Sequence, residues 1–125
     1  MKLTVNTQTN VEAKLSLVHQ CAIENIPEPN LQTEFVIVIS ELLYNILKYS
    51  DGGHVEIMIK DNVIEVYSKD YGQGFSECYE QAFNEGFSTG GSLGLGMSCI
   101  IRFFDELLFE TSQKGTTFKG YRSFN

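Results

Sequence analysis

The stretch Phe35–Lys48, FVIVISELLYNILK, constrains the fold more than any other part of this chain. Apolar residues occupy nearly every side of the helix it would form, so that helix is expected to lie largely buried inside a packed domain. Glu41, Asn45 and Lys48 break the pattern. At i, i+4 and i+7 they fall within about 60° of one another at about 100° per residue, which makes a single polar stripe. A carboxylate, a carboxamide and an ammonium on an apolar helix are costly unless each finds a partner. The stripe by itself admits two readings: a salt-bridged helix edge with Asn45 as a satisfied core polar group, or one wall of a binding site.

Bulk properties narrow the setting. The chain has 125 residues and 42% hydrophobic content, enough for one domain over 1–125 with a single two-layer core. Its formal net charge of −7 argues against a general nucleic-acid binder. A nucleotide is still allowed, because a few local groups suffice to hold phosphates. No apolar run is long and charge-free enough to span a bilayer, and the opening MKLTVNTQTN lacks a signal-peptide pattern, so a cytoplasmic protein with no membrane contact is expected. Cys21, Cys78 and Cys99 form no CxxC pair, and His19 and His54 share no ligand spacing with them. Ordinary reduced thiols are expected, without a disulfide framework or a structural metal.

Taken in order, residues 2–6 suit a short strand, and Asn10 a cap for a helix over 11–25. Pro27 and Pro29 interrupt that helix before the buried one, expected from about Leu31 to Tyr49 and ended by Asp51-Gly52-Gly53. Two strands follow near 54–60 and 63–69, joined by a two-residue Asp61-Asn62 turn. Alternation along the second places Ile64, Val66, Ser68 and Asp70 on one inner face. Beyond it come DYGQGF, a polar amphipathic stretch over 76–85, and GFSTGGSLGLG. A helix is expected from about Leu95 to Asp105. Glycines feeding a helix N-terminus leave backbone N–H groups for an anion, although a flexible capped loop fits the same letters. No Lys-Ser or Lys-Thr follows, so this is not a Walker A loop. A final hairpin, 106–112 and 116–124, puts Thr116 on the same face as Phe118. One-face alternation with apolar helices to cover it predicts a two-layer α/β sandwich: a mixed, mainly antiparallel sheet with helices on one face.

Four boxes in order now resemble the GHKL superfamily of ATP-binding domains. Glu41-Leu-Leu-Tyr-Asn45 resembles its N box, and Asp70-Tyr-Gly72-Gln-Gly74 its first glycine box. Gly91-Ser92-Leu93-Gly94-Leu95-Gly96 resembles the second, and Gly115-Thr116 the closing GT pair. The boxes cover residues of about 40–117; Phe75 and Met97 stand where aliphatic residues are usual. SELLYNILKYSDGG, NEGFSTGGSLGLGMS and DELLFETSQKGTT look most like the small serine-kinase branch, in particular the RsbT-type switch kinases of the stressosome, related to the RsbW and SpoIIAB anti-sigma factors.

The resemblance implies ATP and Mg²⁺. It assigns Asp70 to the adenine amino group with Thr116 in support, and Asn45 to Mg²⁺. Gly72 and Gly74, which permit a tight path and the close approach of another group, count among the nucleotide-binding residues, and residues 91–96 would meet the phosphates. Glu41 would orient or deprotonate the attacking hydroxyl. Lys48 has two readings, a phosphate counter-charge or an ion pair at the helix edge. Ser88 and Thr89 fit a short lid or a plain loop. The implied activity is a protein serine/threonine kinase acting on a STAS-domain antagonist or scaffold, with a downstream phosphatase or sigma factor as a further partner. The alternatives are an anti-sigma-type binding module with little kinase activity, and a plain ATPase.

Overall fold

The computed structural model describes the backbone of residues 1–71, 92–112 and 114–125, and their side chains apart from 49, 92–97, 111 and 112. Strand β1 (Lys2–Val5) leads to helix α1 (Val11–Asn25). Asn10 caps α1 through its side-chain oxygen, which accepts from the Ala13 N–H at 3.3 Å. Helix α2 (Pro29–Tyr49) opens two residues before the apolar pattern alone places its start. Pro29 begins the helix instead of breaking the chain ahead of it, because a first-turn proline has no intrahelical N–H to lose. Glu28 supplies the cap, its carboxylate accepting from the N–H groups of Asn30 and Leu31 at 3.0 and 2.8 Å.

Strands β2 (Gly53–Lys60) and β3 (Val63–Asp70) form a hairpin in the expected register. Asp61 and Asn62 both take positive φ, 53° and 61°, as a type I′ turn requires. Helix α3 (Ser92–Phe103) precedes a second hairpin of β4 (Glu106–Ser112) and β5 (Gly115–Ser123). The sheet order is β1-β2-β3-β5-β4. Every pairing among the described strands is antiparallel, without the parallel component that a mixed sheet would contain. The crossover through α3 carries the chain from β3 past one position, and β5 returns by hairpin to fill it. Strands β3 and β4 therefore run the same way but never touch.

Helix α3 starts three residues earlier and stops two residues earlier than the Leu95–Asp105 expectation. Glycine within a helix costs only about 1 kcal/mol, so Gly94 and Gly96 do not stop it while Ile100 and Phe103 dock against the core. Its end is set by the sheet. The Asp105 N–H donates to Tyr121 O at 2.8 Å, and the Asp105 carboxylate accepts from both the N–H and the hydroxyl of Ser123, at 2.8 and 3.0 Å. Arg122 donates to Phe103 O at 2.8 Å and lies over the Phe103 ring.

One face of the sheet carries the core. Leu3, Val5, Val55, Ile57, Ile64, Val66 and Phe118 are buried against Phe35, Ile39, Leu42, Leu43 and Ile46 of α2. Phe103 meets Phe35 at 6.5 Å between ring centres and Phe104 edge-on at 5.0 Å. Gly120 makes room for this cluster: a Cβ there would sit 2.6 Å from the Phe104 ring. Helix α2 is flanked by α1 and α3. It is not covered all round, since Ile37 on its outer side is 47% exposed. No helix among the described residues is long and apolar enough to cross a membrane.

The two bonds from Ser123 hold the Asp105 carboxyl below the ordinary carboxylate pKa. A group whose folded pKa is depressed stabilises above its unfolded value and loses that contribution as pH falls through the folded one. Asp105 is exposed, so solvent screens these bonds and Asp105→Ala should cost at most about 1 kcal/mol at neutral pH. The gap from wild type should begin to narrow below about pH 4 and close only once pH has fallen below the depressed folded pKa, as read from urea unfolding across pH.

Candidate functional site

Helix α2 ends beside the sheet, and its ending builds one corner of a site. The Ser50 hydroxyl donates to Ile46 O at 2.8 Å and accepts from the Gly52 N–H at 3.2 Å. Gly52 then takes φ +136°, where a Cβ would lie 2.9 Å from Val5 O. Only a residue without a side chain turns this tightly against β1. The Gly52 carbonyl accepts from the Tyr71 N–H at 2.9 Å, and Gly53 pairs with Asp70. The C-terminus of α2, the start of β2 and the end of β3 thus meet at Asp70.

Glycine encloses Asp70 from two sides. A Cβ on Gly53 would collide with Lys69 O and reach within 2.8 Å of Asp70 Cα. A Cβ on Gly115, whose φ is +134°, would collide with Asp70 O and lie 3.4 Å from Asp70 Oδ1. One step beyond the Lys69–Thr117 pair, Asp70 and Thr116 sit on neighbouring strands at the same end of the sheet. Both are 2% exposed. A carboxylate buried so deeply is tolerated only where polar groups surround it.

Asn45, one turn before the end of α2, is 5% exposed, and its side-chain nitrogen is buried with no hydrogen-bond partner among the described residues. Oxygen and nitrogen of a carboxamide exchange on a half-turn, so this side chain holds capacity for one more partner of either kind. Glu41, a turn earlier, is half-buried, and Lys48 is exposed in the last turn of the helix. The stripe thus runs from a core polar group at Asn45 out to solvent at Lys48. Lys48 also places a positive charge at the negative end of the helix dipole.

The remaining expected site residues divide in two. Gly72, Gly74 and Gly91, with Ser88, Thr89 and the stretch 76–85, lie outside the described residues. Ser92, Leu93, Gly94, Leu95 and Gly96 form the first turns of α3. The first four of them hold the N–H groups that an α-helix leaves without internal acceptors. Among the described residues no three His, Cys, Asp or Glu side chains gather as a metal cluster, and Cys21 and Cys99 are free thiols.

Sequence reasoning passed over Gly53 and did not use Ser68. Asp51-Gly52-Gly53 reads as a helix stop, and only the strand register shows Gly53 against Asp70. On the outer face, Tyr71 lies beside His54, its hydroxyl 3.4 Å from Nδ1. Partial burial, followed by the charge of Lys2, pushes the His54 pKa below its ordinary value.

A buried acid clasped by glycines, with a carboxamide on the adjoining helix whose nitrogen has no partner among the described residues, defines a two-layer domain built to take in a polar ligand at the end of its sheet. The family of the histidine kinase-, DNA gyrase B- and HSP90-like ATPases matches this chain over residues 30–121, and the chain belongs to that family. It is accordingly an ATP-binding, ATP-using domain of the GHKL type. Comparison with curated proteins gave no match.

Gly115→Ala should destabilise the fold by about 1–3 kcal/mol, because the new methyl must displace the Asp70 backbone. Chemical denaturation measures this. An unchanged midpoint would mean that the glycine contact does not hold Asp70.

Proposed function

We propose that this protein is a cytoplasmic serine/threonine kinase that transfers phosphate from ATP to a STAS-domain antagonist or scaffold and exchanges protein partners as it does so. The observation that carries the reading is the convergence of Asp70, Thr116 and Asn45, three residues of the ordered boxes, at one end of the sheet. Within the family, the stretches around Glu41, Gly91 and Thr116 favour the RsbT-type serine-kinase branch. A phosphatase or a sigma factor is the fitting downstream partner.

The residues have separable tasks. Asp70 offers acceptor oxygens at the bottom of an enclosed site, which suits an exocyclic amino group, and Thr116 beside it supplies a hydroxyl. The Asn45 carboxamide, whose nitrogen has no partner among the described residues, fits a Mg²⁺ ligand, since the group can turn its oxygen to the ion and magnesium accepts a single amide oxygen alongside water and phosphate oxygens. When bound, the ion would neutralise charge on the phosphates. The N–H groups of Ser92–Leu95, with Gly91 and Gly96 at either side, would hold phosphate oxygens. Glu41 sits one turn from Asn45 and is the group placed to hold and deprotonate the acceptor hydroxyl. Lys48, exposed at the helix end, would serve as a distant counter-charge to the phosphates or as a helix-edge ion-pair partner.

Two variants separate binding from chemistry. Asp70→Asn replaces one acceptor oxygen by a donor facing the amino group, and should weaken ATP binding by about 1–3 kcal/mol in calorimetry. Unchanged affinity in the folded variant would remove Asp70 from the base site. Glu41→Gln should bind ATP nearly as wild type yet transfer phosphate about 10²-fold more slowly to a STAS protein. Transfer at the wild-type rate would exclude Glu41 as the base. If the wild-type protein binds a sigma factor tightly and phosphorylates no STAS protein, it is an anti-sigma-type binding module instead.

A further inference from the structure

The helices cover one face of the sheet; among the described residues the other face carries no layer, and Met58 and Leu108 stand exposed on it. Its charge sets it apart. The outward residues of the three central strands include Lys60, Lys69 and Lys119 against Glu56 and Glu65, and the outer strands add Lys2, Glu106 and Glu110. The face is therefore neutral, and the whole formal charge of −7 lies elsewhere on the molecule. Two copies repel as bodies, but not through this face. The strand register also orders its charges. At the centre sits Tyr67, with Glu56 across on β2 and Lys119 across on β5. Its same-face neighbours along β3 are Glu65 and Lys69. His54 lies across from Lys69 and Tyr121 across from Glu65, so a diagonal through His54, Tyr67 and Tyr121 leaves both acids on one side and both lysines on the other. Among the described residues, neither acid forms an ion pair with a lysine of its own copy.

We infer that a second copy of this chain docks on the open sheet face, about a twofold axis lying along that diagonal. The axis sets the acids of each copy on the lysines of the other: Glu65 opposite Lys119 of the second copy and Glu56 opposite Lys69, each pair made twice. Tyr67 and Tyr121 meet their counterparts at the axis, an aromatic centre of the kind interfaces favour. A diagonal axis turns the two sets of strands nearly perpendicular, one of the two ways in which sheets stack. Five strands about 4.8 Å apart, the central ones about eight residues long, make a nearly square face of about 24 by 26 Å, so the overlap survives the turn. That offers about 600 Å² per copy and about 1,200 Å² in all, the lower end of stable specific interfaces. Asp70 and Thr116 belong to the other face, so this contact is independent of the ATP-site reading.

Sedimentation equilibrium of the full chain tests this. At about 100 µM the wild-type protein should have twice its 14.1 kDa mass, since an interface of this size reaches at least micromolar affinity. Glu65→Lys and Lys119→Glu each bring like charges together across the axis, and each should raise the dimer dissociation constant about tenfold or more while circular dichroism stays that of the folded protein. Mixed in equal amounts, the two variants should associate as tightly as wild type, because each supplies the charges the other has lost. A wild-type protein that stays monomeric at this concentration overturns the inference. So does a dimer that neither variant weakens, which places the contact on another surface such as the helical side around Ile37. Folded variants that weaken the dimer but do not associate when mixed overturn it as well, since the charges then do not meet across the proposed axis.

Discussion

The burial of one carboxylate, Asp70, sets the demands that the surrounding structure meets. Charge at 2% exposure is opposed by desolvation. The protein keeps it there by bringing backbone close on both sides, which only the absence of a side chain at Gly53 and Gly115 allows. Strand β2 must start and strand β5 must start at this level of the sheet, and each does. The register of three strands and the exit of α2 are thus tied to one position.

Helix α2 answers a second requirement. It must be apolar enough to form the centre of the helical layer and still deliver Asn45 to the same end of the molecule. Glu28 and Pro29 fix where it begins, and Ser50 and Gly52 fix where it stops. Between them Phe35, Ile39, Leu42, Leu43 and Ile46 anchor it on the sheet. A polar group deep in such an element lowers stability unless something occupies it. Domains that bind ligands commonly accept such local conflicts at their sites, because the ligand resolves them.

Much of this was legible in the amino-acid sequence wherever the cause was local. The Asn10 cap, the Asp61-Asn62 turn and the inward parity of Asp70 each depend on a few neighbouring residues, and each is found as expected. The boundaries of α3 were not legible, because its end is decided by Asp105 reaching Tyr121 and Ser123, residues distant in sequence. Gly120 and Gly53 were opaque for the same reason: nothing adjacent to them announces Phe104 or Asp70. The all-antiparallel pairing follows from where β5 inserts, a choice made by tertiary packing rather than by alternation. The polar stripe had two local explanations, and only the burial of Asn45 against the exposure of Lys48 tells its two ends apart.

The insertion of β5 between β3 and β4 also governs when the protein becomes itself. Val63 pairs with Ser123 across sixty positions of chain, so the centre of the sheet waits for its last strand. During synthesis, β3 leaves the ribosome with one edge open and Asp70 flanked on one side only. Pairings of such long range form slowly, and unpaired edges invite association with other chains. Folding and competence for ligand therefore arrive in the same event. A nascent chain stalled before Gly115 would carry Asn45 and Asp70 but lack the second glycine, Thr116 and the strand that closes the sheet, so its site would stay open on one side.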